Sequence, residues 1–124
     1  MKAEYSSDRT FVVWQYSVFH HGGVLLRSSR RGVSDRRVDL HFASVEALFV
    51  RPVYQGITVR EGTEAERERV TDMLGTAILE SDRRLHVIGK DVMAGFVVGG
   101  PLQVHEKHAD DSQPSGFLRM PPTP

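Results

Sequence analysis

Cysteine is absent from this chain of 124 residues. Disulfides and thiolate metal sites are therefore excluded, and a cytoplasmic setting is the expectation. Net charge is absent too, since Lys+Arg and Asp+Glu both number 16. A dedicated nucleic-acid binder is normally basic, so DNA and RNA are disfavoured as partners. No apolar window approaches the length that crosses a bilayer, so no membrane partner is expected. Residues 1–8 lack the apolar stretch of a secretory signal and read as a polar lead-in. Sites for common nucleophiles are missing as well. There is no Gly-x-Ser-x-Gly, and Ser28, Ser29 and Ser112 lie in turn-like sequence.

What is present is β-sheet sequence. From Phe11 to Arg27, two runs rich in β-branched and aromatic residues flank Gly22-Gly23, the signature of a hairpin. The first strand is placed at 10–20. Alternation puts Val12, Trp14, Tyr16 and Val18 on one face, the better core face, and Val13, Gln15, Ser17 and Phe19 on the other. A three-residue loop, His21-Gly22-Gly23, pairs Val18 with Leu26, Tyr16 with Ser28 and Ser17 with Arg27, and keeps the faces consistent. A third strand follows at 37–43, with Val38, Leu40 and Phe42 inward. A fourth at 45–51 is stopped by Pro52. Tyr54-Gln55-Gly56 reads as a turn before a short fifth strand at Ile57 and Val59.

The period then changes. Thr63 and Glu66 form a capping box, followed by a helix over 64–74 with a stripe of Ala65, Val70, Met73 and Leu74, and Gly75 as its stop. A longer helix, to about Glu80, is the rival. Further strands are expected at 84–88, 93–98 and 102–106, with turns at 89–91 and 99–101. Strands on both sides of one helix give an α+β fold, mainly an antiparallel sheet, curled or partly barrel-like. Residues 1–108 form the single domain, and 109–124 a flexible proline-rich tail in which Phe117 and Leu118 are the apolar exceptions. The hairpin Trp-Gln-Tyr-Ser-Val-Phe-His-His-Gly-Gly-Val-Leu-Leu-Arg-Ser, the Arg-Val-Asp-Leu-His-Phe strand and the late Gly-Phe-Val-Val-Gly-Gly-Pro-Leu-Gln-Val-His-Glu segment resemble small bacterial β-rich proteins of unknown function. The resemblance implies one compact β-rich domain and transfers no activity or site.

Candidate chemistry is sparse. Six histidines are present. His20 and His21 are neighbours on a strand and point apart, His105 and His108 straddle a strand end, and no His-Glu-x-x-His occurs, so neither a metal nor another cofactor is assigned. A ligand pocket inside the sheet would use Trp14, Tyr16, His20, His41 and His86. Arg27, Arg30, Arg31, Arg36 and Arg37 cluster around one loop and suit an anion, set against a solvated loop whose charge Asp35 and Asp39 offset. The acidic residues Glu46, Glu61, Glu80, Asp82, Asp91 and Glu106 are scattered, and no catalytic residue is assigned.

The leading expectation is a non-enzymatic protein-binding or self-associating module. The partner would be a second copy or another protein, docked on a face carrying Phe11, Val13, Phe19 and Leu25. The alternatives are a small-molecule or anion-binding protein using the sheet interior or the arginine loop, and an inhibitor or immunity-type protein.

Overall fold

The computed structural model describes residues 3–17, 22–29, 36–80 and 82–107. Eight strands form one antiparallel sheet. They are β1 (Ala3–Ser17), β2 (Gly23–Ser28), β3 (Arg37–Ala43), β4 (Ala47–Phe49), β5 (Val53–Glu61), β6 (Arg84–Ile88), β7 (Gly95–Gly99) and β8 (Leu102–Lys107). One helix, α1 (Glu64–Leu74), follows β5, and a 3-10 turn spans Thr76–Leu79. The strand order is β4-β7-β6-β5-β1-β2-β3-β8. The α+β class with a curled antiparallel sheet and one helix is thus the observed fold.

The curl follows from the connections. β7 lies next to one edge of the sheet and β8 forms the other, yet only Gly100 and Pro101 separate them. Three Cα steps span at most about 11 Å. The sheet must therefore roll until its two edges approach, although it does not close. The Gly100 N–H donates to the Ala43 carbonyl at 2.8 Å, which ties the β7–β8 turn to the end of β3. A Cβ at Gly99 would stand 2.9 Å from the same oxygen, so this close approach requires glycine.

Rolling gives the sheet an inner face and an outer one. Phe11, Val24, Leu26, Val38, Leu40, Phe42, Ile57, Val59, Ile88 and Val97 fill the inside. A second cluster, Leu85, Val87, Phe96 and Val98, lies on the opposite face and is covered by Val70 of α1, with Ile78 and Leu79 of the 3-10 turn beside it. The capping box is present: the Glu66 N–H donates to Thr63 Oγ1, and the Thr63 N–H donates to Glu66 Oε1. The helix ends at Leu74, and Gly75 takes φ 100°. The expected stripe is narrower than its pattern. Val70 and Glu66 are the buried residues of α1, while Met73 and Leu74 are exposed.

Strand β1 departs most from the sequence reading. It starts at Ala3, not Thr10, because residues of the polar lead-in pair with β5 from Ala3↔Arg60 to Ser7↔Ile57. Hydrophobic periodicity cannot detect a segment held by ladder hydrogen bonds. The strand also carries irregularities at Glu4, at Asp8–Arg9 and at Trp14. Each bulge inserts residues on one strand, bends it and re-aims side chains. The expected turn at Tyr54-Gln55-Gly56 lies within β5. Gly56 takes φ 79° opposite the second bulge, so the chain bends there and continues. The expected fourth strand shrinks to Ala47–Phe49.

The assignment of core face is also overturned. Phe11 is fully buried and Val13 packs on the core, whereas Trp14 is 43% and Tyr16 49% exposed. The hairpin register pairs Ser17 with Gly23, Tyr16 with Val24 and Val12 with Arg27. The expected pairs of Tyr16 with Ser28 and Ser17 with Arg27 do not form. Val18, Phe19, His20, His21, Arg30, Arg31, Asp35, His108, Ser112, Phe117, Leu118 and the rest of the tail lie outside the described residues. Among the described residues no helix is long and apolar enough to cross a membrane.

Candidate functional site

Among the described residues, four networks of buried polar side chains stand out, three of them reached by the bulges of β1. At the third bulge, Trp14 lies over the Arg27 guanidinium, 4.7 Å from centroid to Cζ. Arg27 Nε donates to Asp39 Oδ1 at 2.8 Å, and Arg37 Nη2 donates to Asp39 Oδ2 at 3.3 Å. All three side chains are almost fully buried. Register places Arg27 beside Asp39 on β2 and β3, and Leu25 beside His41 on the same face. Burial pulls the pKa of His41 down, opposed by a hydrogen bond with the Gln103 side chain, its register partner on β8.

At the second bulge Arg9 reaches the neck of the β2–β3 connection. Its Nε donates to Ser28 Oγ at 2.9 Å, and its Nη2 donates to the carbonyls of Ser29 at 2.9 Å and Arg36 at 2.6 Å. The planar fork of arginine allows one side chain to hold both ends of a loop.

At the first bulge Glu4 reaches His86. Glu4 Oε2 and His86 Nδ1 are 2.7 Å apart, and His86 Nε2 lies 2.6 Å from the Gly100 carbonyl. The imidazole is 1% exposed and packs edge-on to Phe42 at 5.1 Å. Outside it an open recess of about 560 Å³ is lined by Ala3, Glu4, Glu61, Arg84, Leu85 and His86. A neighbouring recess of about 410 Å³ is lined by Ala3, Ser6, Thr58, Arg60, Lys90 and Asp91.

The fourth network fastens α1 to the sheet. Arg60 Nη1 and Nη2 donate to Glu66 Oε1 and Oε2 at 2.7 and 2.9 Å, and Arg60 Nε donates to the Gly89 carbonyl at 2.8 Å. The guanidinium, foremost, and the Thr63 bonds hold the Glu66 carboxyl down at about 2, against the opposing effect of burial.

The residues singled out from sequence do not converge. Trp14 and Tyr16 are exposed, and His41 and His86 are buried apart. His86 packs on Phe42, so the adjacent His41, whose side chain alternates with Phe42 along β3, points to the other face. His20 lies outside the described residues. Of the arginine cluster, Arg27 and Arg37 are buried around Asp39, Arg36 is exposed, and Arg30 and Arg31 lie outside the described residues. No group of three His, Asp or Glu side chains suited to a metal occurs among the described residues. Sequence reasoning missed Glu4, Arg9 and Arg60. Glu4 and Arg9 sit at bulges, where alternation gives no signal. Arg60 precedes the capping box whose glutamate it grips. Comparison with protein-family models, with curated proteins and with solved structures gave no match.

Proposed function

We propose that this chain is a non-enzymatic protein-binding or self-associating module that makes contact through the β1 surface around Trp14. The observation that carries this reading is the 43% exposure of the large aromatic Trp14 on a strand in the middle of the sheet. Aromatic anchors on a rigid element are the commonest source of binding energy at protein interfaces. Trp14 is already placed by its stack on Arg27, so little of its freedom is left to lose on binding. Val53, 43% exposed, pairs with Val12 beside it and extends the apolar surface. The face first expected to be sticky does not serve, because Phe11 and Leu25 are buried within the chain.

The buried ionisable groups, by contrast, are engaged with one another and brace the sheet. A small-molecule reading draws its support from the polar recess beside His86. Anion binding by the arginine loop draws less, because Arg27 and Arg37 are buried with Asp39.

The test places a photo-crosslinking amino acid at position 14 and at an exposed control position such as Glu68. Adducts specific to position 14, to a second copy or to one other protein, are expected. A chain that stays monomeric by light scattering and gives no position-specific adduct would refute the reading.

A further inference from the structure

His86 joins three parts of the fold at one buried point. It stands on β6, its Nδ1 meets Glu4 at the start of β1, and its Nε2 meets the Gly100 carbonyl in the β7–β8 turn. A carbonyl oxygen can only accept, and an ionised carboxylate can only accept. The arrangement therefore needs two protons, one between Nδ1 and Glu4 and one on Nε2. Whether the first resides on nitrogen or oxygen does not alter that count. Loss of either leaves a ring lone pair facing an oxygen, at 2.7 Å on the Glu4 side, whose side chain is 27% exposed, or 2.6 Å on the Gly100 side, around an imidazole that is 1% exposed. Such a buried, unsatisfied contact is costly.

We infer that Glu4, His86 and Gly100 form a proton-operated clasp, closed when doubly protonated, that releases the start of β1 and widens the adjoining recess when one proton leaves. The charged groups facing His86 come from three strands. β1 contributes Glu4, β5 contributes Glu61 as the register partner, and β6 contributes Arg84 two residues earlier. The remaining neighbours, Phe42 of β3 and Val97 of β7, are uncharged. Glu61 and Arg84 are exposed and of opposite sign, whereas Glu4 bonds directly to the ring. The bulge at Glu4 gives the clasp something to release, because the ladder to β5 is already interrupted between Ala3 and Tyr5. The occupied Nε2 also separates this pair from a catalytic carboxylate–histidine dyad, which keeps that nitrogen free for a substrate proton.

The test combines ring nitrogen NMR of His86 with amide exchange of residues 5–7, corrected for intrinsic rate, followed together through a pH titration over the range in which the chain stays folded. Both ring nitrogens are expected to be protonated at the acid end. Wherever the NMR records loss of one ring proton, protection of those amides is expected to fall about tenfold in step with it, the loss of one charge-assisted hydrogen bond. Glu4→Gln separates the clasp from a simple charge effect. A carboxamide N–H can donate to Nδ1 of the neutral ring while Nε2–H donates to Gly100, so this variant should stay closed at both ends of the range. Glu4→Ala should be open throughout. Protection that does not change in the native chain would overturn the inference. So would a Glu4→Gln variant as pH-sensitive as the native chain.

Discussion

Replacing Glu66 by glutamine should destabilise the protein at neutral pH and should do so far less in acid. The bidentate bond to Arg60 depends on the carboxylate, whereas the bond from the Thr63 N–H needs only an acceptor and is strengthened by the charge. They lower the carboxyl from its ordinary 4.5 to about 2. At 1.36 kcal/mol per pKa unit this is an upper limit of about 3 kcal/mol. Desolvation of the buried Arg60 guanidinium, 6% exposed, offsets part of this and leaves about 1–2 kcal/mol. The folded carboxyl is the more acidic one, so the contribution is fully present above the unfolded pKa of 4.5 and drains away as the pH falls toward about 2. Urea denaturation of both proteins across this range gives the difference directly. The gap should fall to less than half of its neutral value by about pH 3. An equal cost at both ends would mean that Glu66 acts through shape or helix propensity alone, and the ion-pair account would be wrong.

Other substitutions probe the remaining networks. Asp39→Ala strands Arg27 and Arg37 in a buried site and should cost about 3–5 kcal/mol by chemical denaturation. Gly95→Ala places a Cβ 2.4 Å from Tyr54 Oη, so it should cost about 1–3 kcal/mol. Adding Tyr54→Phe should recover part of that loss, and a double-mutant cycle with no coupling would contradict the contact. Arg9→Lys cannot bridge Ser28, Ser29 and Arg36 together and should cost about 1–2 kcal/mol in thermal or urea melts.

The local features that rest on short-range chemistry were legible in the sequence. Thr63 and Glu66 mark the helix start because a capping box is complete within four residues, and Gly75 marks its end because few other residues accept a positive φ. Val38, Leu40 and Phe42 alternate without a bulge, and all are buried as expected. Trp14 and Tyr16 misled because both faces of this stretch carry apolar or aromatic residues, so alternation alone does not say that Phe11 and Val13 are the ones turned to the core. Glu4 and His86 are 82 residues apart, and only the rolled sheet brings them together. Met73 and Leu74 continue an apolar stripe, but α1 meets the sheet through Val70, so pattern overstated the buried face.

The account depends most on the bulged register of β1, which turns Phe11 inward and Trp14 outward. Cross-strand NOEs in isotopically labelled protein report it directly. The account requires contacts between Val12 and Arg27, Val13 and Leu26, and Gln15 and Leu25, with Trp14 skipped. Contacts of Tyr16 with Ser28 and Ser17 with Arg27 would instead mean an unbulged strand and an inverted core face, and would contradict it.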